Sequence, residues 1–156
     1  MANRPLSGVS GTLAPDSNIV LGGESALTGM IVVAARALFA FIFISASPRL
    51  FQSASINAAA QHGVPLAQIL VPVSGVLAGL GGLSILLGYR ARIGAWLIAI
   101  FLLVVTPIMH NFWAIADPAM AQAQTVNFFK NISMLGGALL ITQFGAGPWS
   151  LDARRK

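Results

Sequence analysis

Asn127, Lys130 and Asn131 stand at i, i+3 and i+4 in the run VNFFKN, so on a helix they form one polar stripe. His110 and Asn111, in MHNFW, precede them by a short connection, and an antiparallel helix pair would bring them against that stripe. Amide, imidazole and ammonium donors gathered in apolar surroundings can hold a polar headgroup, a quinone carbonyl being one example. The same groups can also serve structure alone. Lys130 would then reach toward the membrane surface, the amides would bridge helices, and His110 would cover the carbonyl that Pro107 frees. Both readings stay open. No catalytic residue can be assigned, because no serine, histidine and acid are placed for nucleophilic chemistry, and Asp117 is the one acid near His110.

Arg36 raises a second question, since it lies among apolar residues in VVAARALFAFIFI. Three kinds of partner would satisfy it: the membrane surface reached by snorkelling, backbone carbonyls and Ser84 inside the protein, or an acid supplied from outside the chain. Gly75 and Gly79, in GVLAG, have the small-residue spacing that lets another helix approach closely. With Arg36 they form the expected contact with a partner or with lipid. A metal site is not expected, because His62 and His110 are far apart and lack neighbouring carboxylates. The absence of cysteine excludes disulfides, thiolate ligands and iron–sulfur ligation, so no intrinsic cofactor is expected and any redox chemistry needs a borrowed carrier such as quinone.

The elements that must position these residues follow from composition. Of 156 residues, 56% are hydrophobic and 8% charged, with a mean hydropathy of +0.81, whereas soluble domains carry roughly a quarter charged residues. This is the composition of a membrane protein. Four apolar windows, 27–47, 66–88, 93–113 and 127–145, each reach the roughly 20 residues that one crossing needs. No ten-residue alternation recurs, which argues against a transmembrane barrel. The expected fold is all-α: an integral membrane four-helix bundle of antiparallel, up-down spans over 27–152. A flexible tail is expected over 1–26, without the basic start and apolar core of a signal peptide, and a basic tail over 153–156.

Charge sets the expected orientation. Arg4, Arg90, Arg92, Arg154, Arg155 and Lys156 would share one side, with Arg49 and Lys130 on the other, so both termini are expected to be cytoplasmic. The net charge of +5 does not point to nucleic acid, because the basic residues are scattered at span ends without aromatic stacking platforms. Membrane lipids are the expected partners of those charges.

The blocks RALFAFIFISASPRLFQ (36–52), AAQHGVPLA (59–67), GLGGLSILLGYRARIGAWLIA (79–99), MHNFW (109–113), NFFKNISMLGGALLI (127–141) and QFGAGPWSLD (143–152) together resemble the DoxX family of small four-helix membrane proteins. The resemblance covers about residues 30–152. It implies a multi-pass protein of the bacterial cytoplasmic (inner) membrane, a subunit of a quinone-linked oxidoreductase without a redox centre of its own, and another membrane or redox subunit as partner. A non-catalytic accessory subunit docked on a larger membrane complex is the alternative. One position departs from the family: its members commonly carry an acid just before the Gly-Gly pair, where this chain reads AGLGG.

Overall fold

The computed structural model describes the backbone of residues 17–155 and the side chains of residues 26–155. Five α-helices follow one another: α1 (Ser17–Ala46), α2 (Ser53–Gln61), α3 (Ala67–Leu87), α4 (Ala91–Met109) and α5 (Pro118–Phe144), with short 3-10 turns at Ser47–Phe51, Phe112–Ala114 and Ala153–Arg155. No strand occurs among the described residues. Three stretches among them are long and apolar enough to cross a membrane: Ala26–Phe51, Ala67–Leu87 and Ala91–Ala114. α5 is also long enough, at 27 residues and about 40 Å, but Asn127, Lys130 and Asn131 dilute its apolar character.

The helices pack in chain order, α1 on α3, α3 on α4 and α4 on α5. The seam between α1 and α5 is bridged by a side chain, with the Phe39 ring lying over Gly137. Where apolar helices meet inside lipid, association is driven by close packing, so small residues belong at the contacts. The α3/α4 contact fits that rule: Gly81 on α3 meets Gly94 and Ile98 on α4, while the next residue, Gly82, takes Ala40, Phe43 and Ile44 of α1. A Cβ added at Gly81 would come within 2.9 Å of the Gly94 carbonyl oxygen, and one at Gly94 within 2.9 Å of the Gly81 carbonyl oxygen. Ile85, Ile98 and Leu102 fill the space alongside, and Phe43 meets Phe101 edge-on.

Two segments differ from expectation. Residues 114–126 were expected to be a loop, yet α5 begins at Pro118. Asp117 caps it, its carboxylate accepting from the Met120 amide at 2.7 Å, and Pro118 occupies the first turn, where its missing N–H costs nothing. The segment expected as a tail over 1–26 is described only from residue 17, where α1 starts. Between α1 and α3 the chain forms α2, a nine-residue alanine-rich helix packed on α3 through Ala59, Ala67 and Val71.

A candidate apolar groove and a C-terminal strap

α3 runs down to Gly88, where a left-handed residue (φ +63) ends the helix as only glycine does without strain. The chain turns through Arg90 and rises again as α4. This hairpin end also receives the chain's last residues. After α5, Gly145 and Gly147 take positive φ and turn residues 145–155 into a strap across the hairpin. The Asp152 amide donates to the Gly88 carbonyl at 2.8 Å. Its carboxylate accepts from the Arg90 amide at 2.7 Å and the Ala91 amide at 3.0 Å, capping α4. Trp149 covers Gly29 of α1, and the Arg155 guanidinium stacks over Tyr89 at 4.7 Å.

Arg36 belongs to this end. It is 6% exposed, so it does not reach open solvent. Its Nη2 donates to the Trp149 carbonyl oxygen at 2.9 Å. Ser84, the other internal acceptor considered, instead donates its hydroxyl to the carbonyls of Tyr89 (2.7 Å) and Arg90 (3.2 Å). No carboxylate was evident near Arg36 in the linear order; the strap brings Asp152 to the same hairpin end, where its carboxylate caps α4.

Gly75 and Gly79 are used within the chain. The Ser47 hydroxyl donates to the Gly75 carbonyl at 2.8 Å, and a Cβ on Gly79 would meet that hydroxyl at 2.7 Å. Their small face therefore seats the end of α1 and the turn after it.

His110, Asn111, Asn127 and Lys130 take local partners. His110 Nδ1 lies 2.7 Å from Gln124 Oε1, inside the segment expected to be loop. Lys130 Nζ donates to Asn127 Oδ1 at 3.0 Å on an exposed face. Asn111 precedes the 3-10 turn of Phe112–Ala114, its carbonyl accepting from the Ala114 amide at 2.9 Å. Asn131 is buried on α5. Phe112, Trp113, Phe128 and Phe129 pack edge-on beside them, the kind of aromatic cluster that suits a membrane boundary. Among the described residues no group of three histidines or acids could hold a metal.

A well-formed cavity lies elsewhere and was missed by reading the sequence. A groove of about 550 Å³ opens between α2, α3 and α4. Leu70, Val71, Val73 and Leu77 form one wall and Phe101, Val104, Val105 and Ile108 the other, with Ala58, Ala59 and the turn His62–Gly63–Val64–Pro65 as roof. Its polar side chains are few: Ser55 and His62 at the roof, and Ser74, whose hydroxyl turns back to the Val71 carbonyl at 2.7 Å. Leu70, Val73 and Val104 remain exposed along the walls. None of His110, Asn111, Asn127, Lys130 or Asn131 lines it. The available signal was α2 itself: an alanine-rich helix followed by His-Gly-Val-Pro cannot continue straight into α3, so it must fold over that helix.

These features define a multi-span helical membrane protein with an apolar groove at one end and a strapped hairpin at the other. The chain belongs to the SURF4 family, whose sequence model matches residues 20–156. It is 26% identical over 126 residues to inner membrane protein YphA of Escherichia coli, covering 80% of this chain and 89% of that protein. It is 25% identical over 125 residues to a Surfeit locus protein 4 homolog of Schizosaccharomyces pombe, covering 80% of this chain and 37% of that protein. With the ER-derived vesicles protein ERV29 of Saccharomyces cerevisiae the identity is 27% over 81 residues, covering 52% of this chain and 26% of the relative. The chain thus spans between about a quarter and two fifths of these two yeast relatives and most of YphA. No solved structure matches.

This membership corrects the DoxX resemblance and removes the quinone-linked subunit drawn from it. Short apolar blocks rich in glycine are what close helix packing in lipid demands of any small bundle, so their order carried less family information than it suggested. The missing acid in AGLGG was the discordant position.

Proposed function

We propose that this SURF4-family protein works within the bilayer by holding the apolar chain of an amphiphile in the groove between α2, α3 and α4. The groove itself carries this reading: about 550 Å³, within the 300–1,000 Å³ of ordinary ligand sites, apolar along its length and polar only at its roof. An acyl chain matches the walls, and a polar headgroup matches Ser55 and His62. Arg49, exposed and next to the lining residue Leu50, adds a positive charge suited to an anionic headgroup. The relatives' names speak of an inner membrane and of ER-derived vesicles, so what is common to them is a bilayer setting.

In this reading residues 27–152 form a four-span domain with both termini on the cytoplasmic side. α5 packs along α4 and returns the chain to the hairpin end, which favours a full fourth crossing. Arg90, Arg92, Arg154 and Arg155 fall at that end, in keeping with the positive-inside tendency.

The test is photocrosslinking of the purified protein with a phospholipid carrying a photoreactive acyl chain, followed by peptide mapping. Labelling should concentrate on residues 70–77 and 101–108. Leu77→Trp and Val104→Trp, which fill the trough, should remove most of that labelling while helical content is kept. Uniform labelling of all lipid-facing helices, unchanged in both variants, would show an ordinary lipid annulus and end the proposal.

A further inference from the structure

Arg36 has donors that its surroundings do not use. One guanidinium nitrogen donates to the Trp149 carbonyl, while Nε and Nη1 are buried without an acceptor. A buried donor left unpaired costs on the order of 1–3 kcal/mol, more when it is charged. Nη1 is packed against the hairpin, since a Cβ on Gly88 would overlap both it and Ser150. Beside it the first amides of α4 point at Asp152, held at 2.7 and 3.0 Å. A buried arginine with spare N–H groups and a helix N-terminus therefore converge on one spot, and residues of the chain's own strap occupy it.

The strap and the hairpin it crosses each hold one strained residue. Trp149 has φ +54 and Arg90 φ +47, a left-handed conformation that is unfavourable for bulky residues and persists only when the surroundings enforce it. A single carbonyl from Trp149 and two carboxylate oxygens from Asp152 serve the site piecemeal.

We infer that the strap is a displaceable internal occupant of an anion site, and that the ligand of this site is the phosphate of an anionic phospholipid, whose charge no headgroup ammonium offsets, at the hairpin end. A phosphate offers enough acceptor oxygens to take the Arg36 fork and the α4 amides together. The neighbouring Arg92, Arg154 and Arg155 are exposed and draw anionic headgroups to this face. Binding lifts residues 149–152 off the hairpin and relaxes Trp149.

Trp149 reports on the event. The full chain with Trp96→Phe and Trp113→Phe, in phosphatidylcholine nanodiscs doped with rising fractions of phosphatidylglycerol, should show a saturable shift in Trp149 emission. Asp152→Asn, which weakens the strap's hold, should reach half-saturation at a several-fold lower phosphatidylglycerol fraction. Arg36→Lys keeps the charge but loses the planar fork, and should raise that fraction about tenfold. Arg154→Gln with Arg155→Gln should leave the response saturable. Inorganic phosphate producing the same saturation in pure phosphatidylcholine discs would assign the site to the free anion. A titration that Arg36→Lys leaves unchanged, or that the two surface arginines alone abolish, overturns the proposal. Should Arg36→Lys lose helical content, Asp152→Asn decides the matter, and an unshifted midpoint in that variant is fatal.

Discussion

Gly94 and Gly136 are both helical glycines and make opposite demands. A Cβ on Gly94 would come within 2.5 Å of the Ser84 hydroxyl and 2.9 Å of the Gly81 carbonyl oxygen, whereas one on Gly136 would meet nothing within 4 Å. Gly94→Ala should therefore push α3 and α4 apart and destabilise the protein by about 1–3 kcal/mol. Gly136→Ala should stabilise it by about 0.5–1 kcal/mol, because the residue's conformational freedom is lost on folding with no packing benefit. Thermal unfolding in one detergent measures both, and equal shifts of the same sign would remove the α3/α4 backbone contact as the reason for Gly94. The sequence marks both residues as small and helical. It does not distinguish them, because which face meets a neighbour depends on where the other helix lies.

α5 illustrates what local chemistry makes legible and what a hydropathy window hides. Asp117-Pro118 is a strong start signal, yet the polar residues after it resemble a loop when judged by apolarity alone. The helix instead begins at Pro118 and brings Gln124 to His110. Asp117→Ala removes the cap on the Met120 amide and should cost about 1 kcal/mol. Amide exchange should then rise in residues 118–124 while α4 keeps its protection; exchange unchanged over that first stretch would mean that packing on α4, and not the cap, fixes where α5 starts.

The whole chain poses the question of topology. α3 and α4 form a hairpin at Gly88–Ala91, and Asp152 returns to cap it, so Arg90 and Arg154 should share one side of the membrane with Asp117 on the other. The chain has no cysteine, so single cysteines at these three positions give a clean readout with a membrane-impermeant thiol reagent. Labels at 90 and 154 from the cytoplasmic face and at 117 from the opposite one are expected. A label at 154 on the same face as 117 would leave only three crossings and remove the four-span reading.

Composition was enough to establish a helical membrane protein and to place three apolar spans within a few residues, because apolar content is a local property of the chain, whereas α5 starts nine residues before the window drawn for it. The partner of Arg36 was beyond that reach. It is a backbone carbonyl 113 residues away, supplied by a strap whose Gly and Pro residues announce turns without saying where they lead. The groove is likewise a property of three helices meeting, and the pairing of His110 with Gln124 depends on where α5 starts and how it packs on α4. Hydropathy fixes how deep a residue sits in the bilayer; the neighbour it meets there is set by packing between segments distant in the chain.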